Sequence, residues 1–424
     1  MTAQLDLETR ATAAPTEALP PLAELRIVDL TQFQSGPMVT LIAGDLGAEV
    51  IKVESIQRVD GWRGGGRGER RWEKSPNFNW VNRNKKGITL NLTDPRGADL
   101  LRRLVAVSDV VVENYTPRVM ANFGLDYERL REVRPDLVML SMPGFGGDSP
   151  WRDYTAFAWT TEQMSMLCHL TGYEDSGPLF TSTTGGDPLA ALMGTLALFA
   201  ALNHRRRTGE GQHIDLSQLE TATAFAAQAL VEAQLAQIEP TRRGNDSPVH
   251  APHGAFPCRG EDRWLALACR SDAEWRGLCE ELGLPADTDG THPMATTADR
   301  LAAREAVTAH VARATAGRDA DELMLALQTR GIAAGVVVDG ARMLADPHLA
   351  ARGFWVVQDR EGVGEKHYPG QPFRLRRAPF VDPRRSPFLG EWNEAVLGGL
   401  LGVPDDQLQE LAGDRVIGTD PLGV

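Results

Sequence analysis

The segment TSTTGGDPLAALMGTLALFAAL, residues 181–202, sets one carboxylate, Asp187, between a glycine pair and a proline. Gly185 and Gly186 permit a turn closed to most residues. Pro188 suits the first turn of a helix, where its missing N–H costs nothing. An aspartate at such a start can cap the helix by accepting its free N–H groups. It can also act as a nucleophile, because a helix N-terminus stabilises negative charge. Residue mechanics alone favour the cap.

Other chemistry-bearing patterns are few. There is no G-x-S-x-G elbow, no Walker A sequence and no catalytic cysteine context. Cys168 stands apart from Cys258, Cys269 and Cys279, and no C-x-x-C pair occurs, so neither a disulfide framework nor a zinc site is indicated. His250 and His253 lie close but lack a third ligand; they read as a turn or pocket wall rather than a metal site. No metal is expected.

One stretch runs against the mean. Between Gly61 and Lys86 there are eight Lys or Arg and two Glu, in a chain of net charge -13 and pI ≈ 5.3. It reads either as a solvated loop or as a rim for phosphates around Arg70 and Arg71, with glycines allowing close approach. Its GGGRG does not fit G-x-G-x-x-G and neither follows a strand nor opens a helix, which excludes a dinucleotide fingerprint. The acidic whole argues against nucleic acid and anionic membrane as partners.

These residues need elements to hold them. Residues 1–21 contain three acids and no apolar core, so they read as a disordered tail rather than a signal peptide. A cytoplasmic home is expected. The runs at 25–30, 48–54, 87–92, 109–115 and 136–142 read as strands, and those at 38–47 and 95–108 as helices between them. This alternation predicts a doubly wound, Rossmann-like α/β sheet. The apolar run 189–202 is too short to span a bilayer and reads as a buried helix. Residues 212–240 read as one long helix, with 221–244 as a linker. A smaller α+β domain is expected over 245–338, with a hairpin around Gly260, helices at 271–283, 298–316 and 320–330, and a strand at 331–338. Residues 339–424 read as a return that completes the large domain, 22–220.

Several blocks in order resemble the class III CoA-transferase family, which includes formyl-CoA transferase, carnitine CoA-transferase and the α-methylacyl-CoA racemases. They are LRIVDLTQFQSGPMVTLIAGDLGAEVIKVE, NRNKKGITLNL, DVVVENYTPRVMANFGLDYERL, RRRTGEGQHIDLSQLE and GIAAGVVVDGARMLADPHLAARGF. The resemblance spans about residues 22–400. It implies an interlocked-ring dimer, with a heteromeric partner as the other possibility. It implies no tightly bound cofactor, coenzyme A entering as part of the substrate. The partners are an acyl-CoA and a free carboxylic acid.

It also implies roles. The family nucleophile stands in a GD step ahead of a helix, here Gly186-Asp187. Gln34 matches the glutamine over the thioester, with Ser35 beside it. Leu90, Asn91, Leu92 and Thr93, and Asn114, Tyr115 and Thr116, match segments lining the CoA channel. Ser55, Thr93 and Asn122 stand where formyl-CoA transferase uses basic side chains, which leaves the phosphates to Arg70 and Arg71. The glycine-run lid is replaced by residues 244–258, arguing against oxalate. Racemases carry a histidine–acid pair where this chain has Phe157-Ala158. Glu162, one helical turn on, could face the same pocket or be an ordinary ion-paired glutamate. The uncharged segments 154–170 and 244–256 lean towards a bulky or aromatic acid. A racemase-like isomerase and a non-catalytic partner subunit are the alternative readings.

Overall fold

The computed structural model describes residues 19–182, 184–237, 239–286 and 293–422. The expected tail, 1–21, thus lies outside the described residues as far as residue 18. The chain forms two compact units. One comprises residues 1–162, 183–224 and 353–424; the other, 163–182 and 225–352.

The first unit is built on six parallel strands: β1 Arg26–Asp29, β2 Glu49–Glu54, β3 Lys85–Thr89, β4 Val110–Glu113, β5 Val138–Ser141 and β6 Gln212–Asp215. Their order is β3-β2-β1-β4-β5-β6, each pair parallel. Strands such as VVVE and VMLS are apolar without alternation because both sheet faces are covered. Helix α1, Ser35–Asp45, and helix α4, Gly186–Thr208, cover one face through Val39, Ala43, Ala190, Ala191 and Leu198. Helix α2, Pro95–Ala106, and C-terminal residues such as Leu397 and Leu411 cover the other. Helix α3, Ala158–Met164, leads out of the unit. Strand order reverses at β1, which puts the topological switch point between the carboxyl ends of β1 and β4. That is where doubly wound sheets bind ligands.

Helix α4 runs for 23 residues, longer than the expected apolar run, and among the described residues it alone is long and apolar enough to cross a membrane. It packs with small residues: a β-carbon at Gly194 would lie 3.2 Å from Val39 and from Met142.

The long helix over 212–240 is not found. Gln212–Asp215 is the sheet's edge strand β6, and two short helices follow, Gln218–Phe225 and Ala227–Ala236. QHID lacks an apolar run because an edge strand is only half covered, so its sequence carries no strand pattern. The second unit holds a three-stranded antiparallel sheet: β7 His253–Pro257, β8 Trp264–Ala268 and β9 Ala333–Val336. Helices Asp272–Leu282, Arg304–Thr315 and Ala320–Thr329 pack on it around Trp275. Back in the first unit, the return path adds a hairpin, β10 Trp355–Arg360 with β11 Gly364–Pro369. The four cysteines are free and buried. Among the described residues, no cluster of His, Cys, Asp and Glu could hold a metal ion.

Candidate active site

Asp187 is the second residue of α4, not its cap. Gly185 holds the cap position and makes no side-chain capping bond. The Ser35 N–H, at the first residue of α1, instead acts on the Asp187 carboxylate and favours its charged form. The free N–H of Gly186 goes to Glu162, whose Oε1 lies 3.2 Å away on α3. Gly186 has to be glycine for this to happen: a β-carbon there would sit 2.4 Å from Thr161 Oγ1 and 3.1 Å from the Ala158 carbonyl.

The electrostatics are set mainly by burial. Asp187 is 8 % exposed. Loss of water pushes its pKa up to about 7; the Ser35 N–H works against this, and the Glu162 charge adds to it. The group is therefore poised near neutrality rather than fixed as an anion. Glu162 is completely buried against the start of α4, not solvated.

Gln34 precedes α1 and is 1 % exposed. Among the described residues its Nε2 reaches only the sulfur of Met38, at 3.4 Å, and its Oε1 has no partner. A buried amide left this short of partners costs about 1–3 kcal/mol. Such a group is suited to receive a ligand atom.

Asn114, expected along the CoA channel, ties two loops together. Its Oδ1 accepts the Gln32 N–H at 2.8 Å, and its Nδ2 donates to the Gln32 carbonyl at 2.8 Å and to Ser35 Oγ at 3.2 Å. The side chain thus braces the loop that carries Gln34 and Ser35. Burial raises the Tyr115 phenol above the usual range, and its backbone N–H donates to Glu113 Oε2 at 2.8 Å. Thr116 accepts the Val119 N–H through its carbonyl. Phe157 is 51 % exposed and meets Phe33 edge-on at 5.4 Å.

Two sequence-marked groups stand apart from this cluster. Leu90 is a core side chain and Leu92 packs on the same core. Asn91 Oδ1 accepts from the Thr93 N–H and hydroxyl at 3.1 and 2.7 Å, closing a tight turn with Thr93 exposed. Arg70 and Arg71 are exposed, and among the described residues neither shares a hydrogen bond or ion pair with Asp187, Gln34 or Ser35.

The basic stretch needs correction. Much of its charge is buried and neutralised. Arg63 pairs with Glu54 at 2.8 Å and Glu73 at 2.9 Å, Arg83 with Asp45 at 2.6 Å, and Lys85 with Asp29 at 2.8 Å. Lys86 bonds Glu49. Arg67, Arg70 and Arg71 remain exposed. Sequence reasoning missed the acids that meet these cations, and with them Lys52 and Asp60, an ion pair at 3.1 Å. The readable signal was a lysine in the middle of EVIKVE, a strand otherwise built to be buried.

The sequence model described as CoA-transferase family III matches residues 22–393. The chain is 33% identical over 388 residues to a succinate–glutarate CoA-transferase of Agrobacterium fabrum, covering 90% of this chain and 96% of that one. It is 30% identical to the alpha subunit of succinyl-CoA–L-malate CoA-transferase of Chloroflexus aurantiacus, covering 94% and 92%. The solved structure of a CaiB/BaiF family protein from Brucella suis superposes with a TM-score of 0.83 at 32% identity, over 91% of this chain and all of that one. Sheet order and these likenesses agree: the chain is an enzyme belonging to CoA-transferase family III.

Proposed function

We propose that the enzyme moves coenzyme A from an acyl-CoA to a free carboxylic acid through a covalent relay on Asp187. The observation that carries this reading is the Asp187 carboxylate, buried, held by the Ser35 N–H and poised near neutrality. A carboxylate stripped of water and raised in basicity is a better nucleophile than a solvated one.

An Asp187 oxygen attacks the thioester carbonyl carbon. The C–S bond breaks, CoA leaves as thiolate, and a mixed anhydride remains. The thiolate then attacks the aspartyl carbonyl and expels the donor acid, leaving an aspartyl–CoA thioester. The acceptor carboxylate attacks that carbonyl, thiolate leaves again, and its attack on the acceptor's acyl carbon restores Asp187. No net proton is consumed. Each tetrahedral intermediate places negative charge on the former carbonyl oxygen. The Gln34 amide, short of partners, is suited to stabilise it.

The relatives' names share a succinyl or succinate group, so succinyl-CoA is the donor to try first. The half-exposed Phe157 beside the Gln34–Ser35 loop supports an acceptor with an apolar body. We assign the CoA phosphates to Arg70 and Arg71, and contacts along the CoA to Asn91, Thr93 and Thr116. One relative is named as an alpha subunit, so assembly with a second chain stands beside a homodimer.

Incubating the enzyme with succinyl-CoA and no acceptor tests the relay. CoA mass should appear on the peptide containing Asp187 and yield to hydroxylamine. An adduct on Glu162, or on no residue, overturns it.

A further inference from the structure

One buried carboxylate under the site takes no part in this scheme. Asp60 is 1 % exposed. A carboxylate taken out of water costs several kcal/mol unless donors surround it. Asp60 Oδ1 accepts the N–H of Phe33 and the N–H of Trp62, each at 3.0 Å. Its Oδ2 faces Lys52 Nζ at 3.1 Å. Lys52, equally enclosed, donates to the Thr31 carbonyl at 2.7 Å. The pair therefore grips the loop after β1 at two points, Thr31 and Phe33.

That loop needs holding. Phe33 lies in the left-handed region, with φ 62. A residue with a β-carbon is strained there by about 1–2 kcal/mol. Gly61 makes room for its ring: a β-carbon at Gly61 would lie 2.5 Å from two ring atoms. Two residues after Phe33 comes Ser35, whose N–H meets Asp187.

We propose that Asp60, held by Lys52, is a positioning residue for the transfer reaction: it fixes the strained turn at Phe33 and so keeps the Ser35 N–H on Asp187. This rests on Asp187 being the nucleophile. Asp60 touches neither substrate nor nucleophile. It acts through three residues of backbone. It also caps the Gly61–Gly65 turn that opens the arginine loop, so one carboxylate anchors both segments.

Replacing Asp60 alone by Ala would strand a buried ammonium and endanger folding. The informative variant is the double substitution Lys52→Met/Asp60→Ala, which removes both charges, with Asp60→Asn beside it. In the folded double variant, kcat for CoA exchange should fall roughly 100-fold, the scale of a misplacement near 1 Å, with KM for succinyl-CoA within about threefold. Asp60→Asn keeps an acceptor for Phe33 and should lose about tenfold.

The second readout is the acid limb of the pH–rate profile. The Ser35 N–H favours ionised Asp187, so its loss must move that midpoint to higher pH, while Glu162, the charged group facing Asp187, is unchanged. A purely structural role would lower the melting temperature and leave both kcat per folded enzyme and the midpoint untouched. If the double variant does not fold, Asp60→Asn decides by the same two measures. Native kcat and an unmoved midpoint in the folded variant overturn the proposal. Failure of the underlying reading shows separately, as near-native turnover in Asp187→Asn.

Discussion

Two regions of the first unit carry conspicuous charge, and they behave in opposite ways. At the start of α4, two acids, Asp187 and Glu162, lie together, and burial holds one near neutrality. In the stretch from Gly61 to Lys86 the cations look unopposed along the sequence, yet Arg63 and Arg360 share Glu73, and Arg63 also meets Glu54. The first region sets two acids together at a helix start and the second is a compensated scaffold. Burial raises the basicity of the Asp187 carboxylate, whereas the buried cations are matched by acids distant in sequence, and local counting shows neither.

The sharpest break in this comparison is Asp187→Asn. Turnover should fall by at least roughly 1,000-fold, as loss of a nucleophile does elsewhere. Stability should rise rather than fall. The carboxyl's folded pKa of about 7 stands above its ordinary 3.8, so its ionisation in the folded state costs free energy as pH rises through that interval. At about 1.4 kcal/mol per pH unit, Asn should gain about 2–4 kcal/mol above pH 7 and little below pH 4. Chemical unfolding at pH 5 and pH 8.5 checks this. A loss of stability at both would mean the carboxylate is a structural cap after all.

Next comes Arg63→Ala. Removing it takes from Glu54 its ion-pair partner and leaves Glu73 to Arg360 alone, which should cost about 3–5 kcal/mol. Arg70→Ala/Arg71→Ala, in the same stretch but exposed, should change stability by less than about 0.5 kcal/mol. It should raise KM for acyl-CoA with little change in kcat, because contacts remote from the reacting carbon hold ground and transition states alike. An unchanged KM would return Arg70 and Arg71 to a merely solvated loop.

A smaller effect belongs to Glu162→Gln. The Glu162 charge raises the Asp187 pKa, so its removal should move the acid limb of kcat/KM to lower pH. Gln keeps an oxygen for the Gly186 N–H, so the fold should persist. A midpoint that stays put would show that burial alone sets the value.

The sequence made the sheet legible wherever a strand was covered on both faces. VVVE and VMLS could hardly be anything else. It hid β6, whose QHID is half-exposed at an edge, and the β10–β11 hairpin. At the site, the glycine–aspartate step was legible as a helix start and as a likeness to a known nucleophile. Its partners were not. The Ser35 N–H is a backbone group with no sequence signature, and the Glu162 bond to Gly186 spans 24 residues. The Lys52–Asp60 pair was half legible, since a lysine in a buried strand needs an acid from elsewhere.

The last prediction is an absence. Moving the α-proton of an acyl-CoA needs an acid and a base on opposite faces of that carbon, each within hydrogen-bond reach. Phe157 and Ala158 carry no proton. Glu162 and Asp187 gather at a single helix start, where Glu162 is occupied with the Gly186 N–H. Two acids side by side serve one face. A 2-methylacyl-CoA incubated with the enzyme in D₂O should therefore gain no deuterium at its α-carbon, while CoA exchange with a free acid proceeds under the same conditions. Mass spectrometry of the recovered thioester reads this directly. Deuterium incorporation that disappears in Glu162→Gln would make the acid pair a proton relay, and the two acids at the start of α4 would then serve isomerisation instead of transfer.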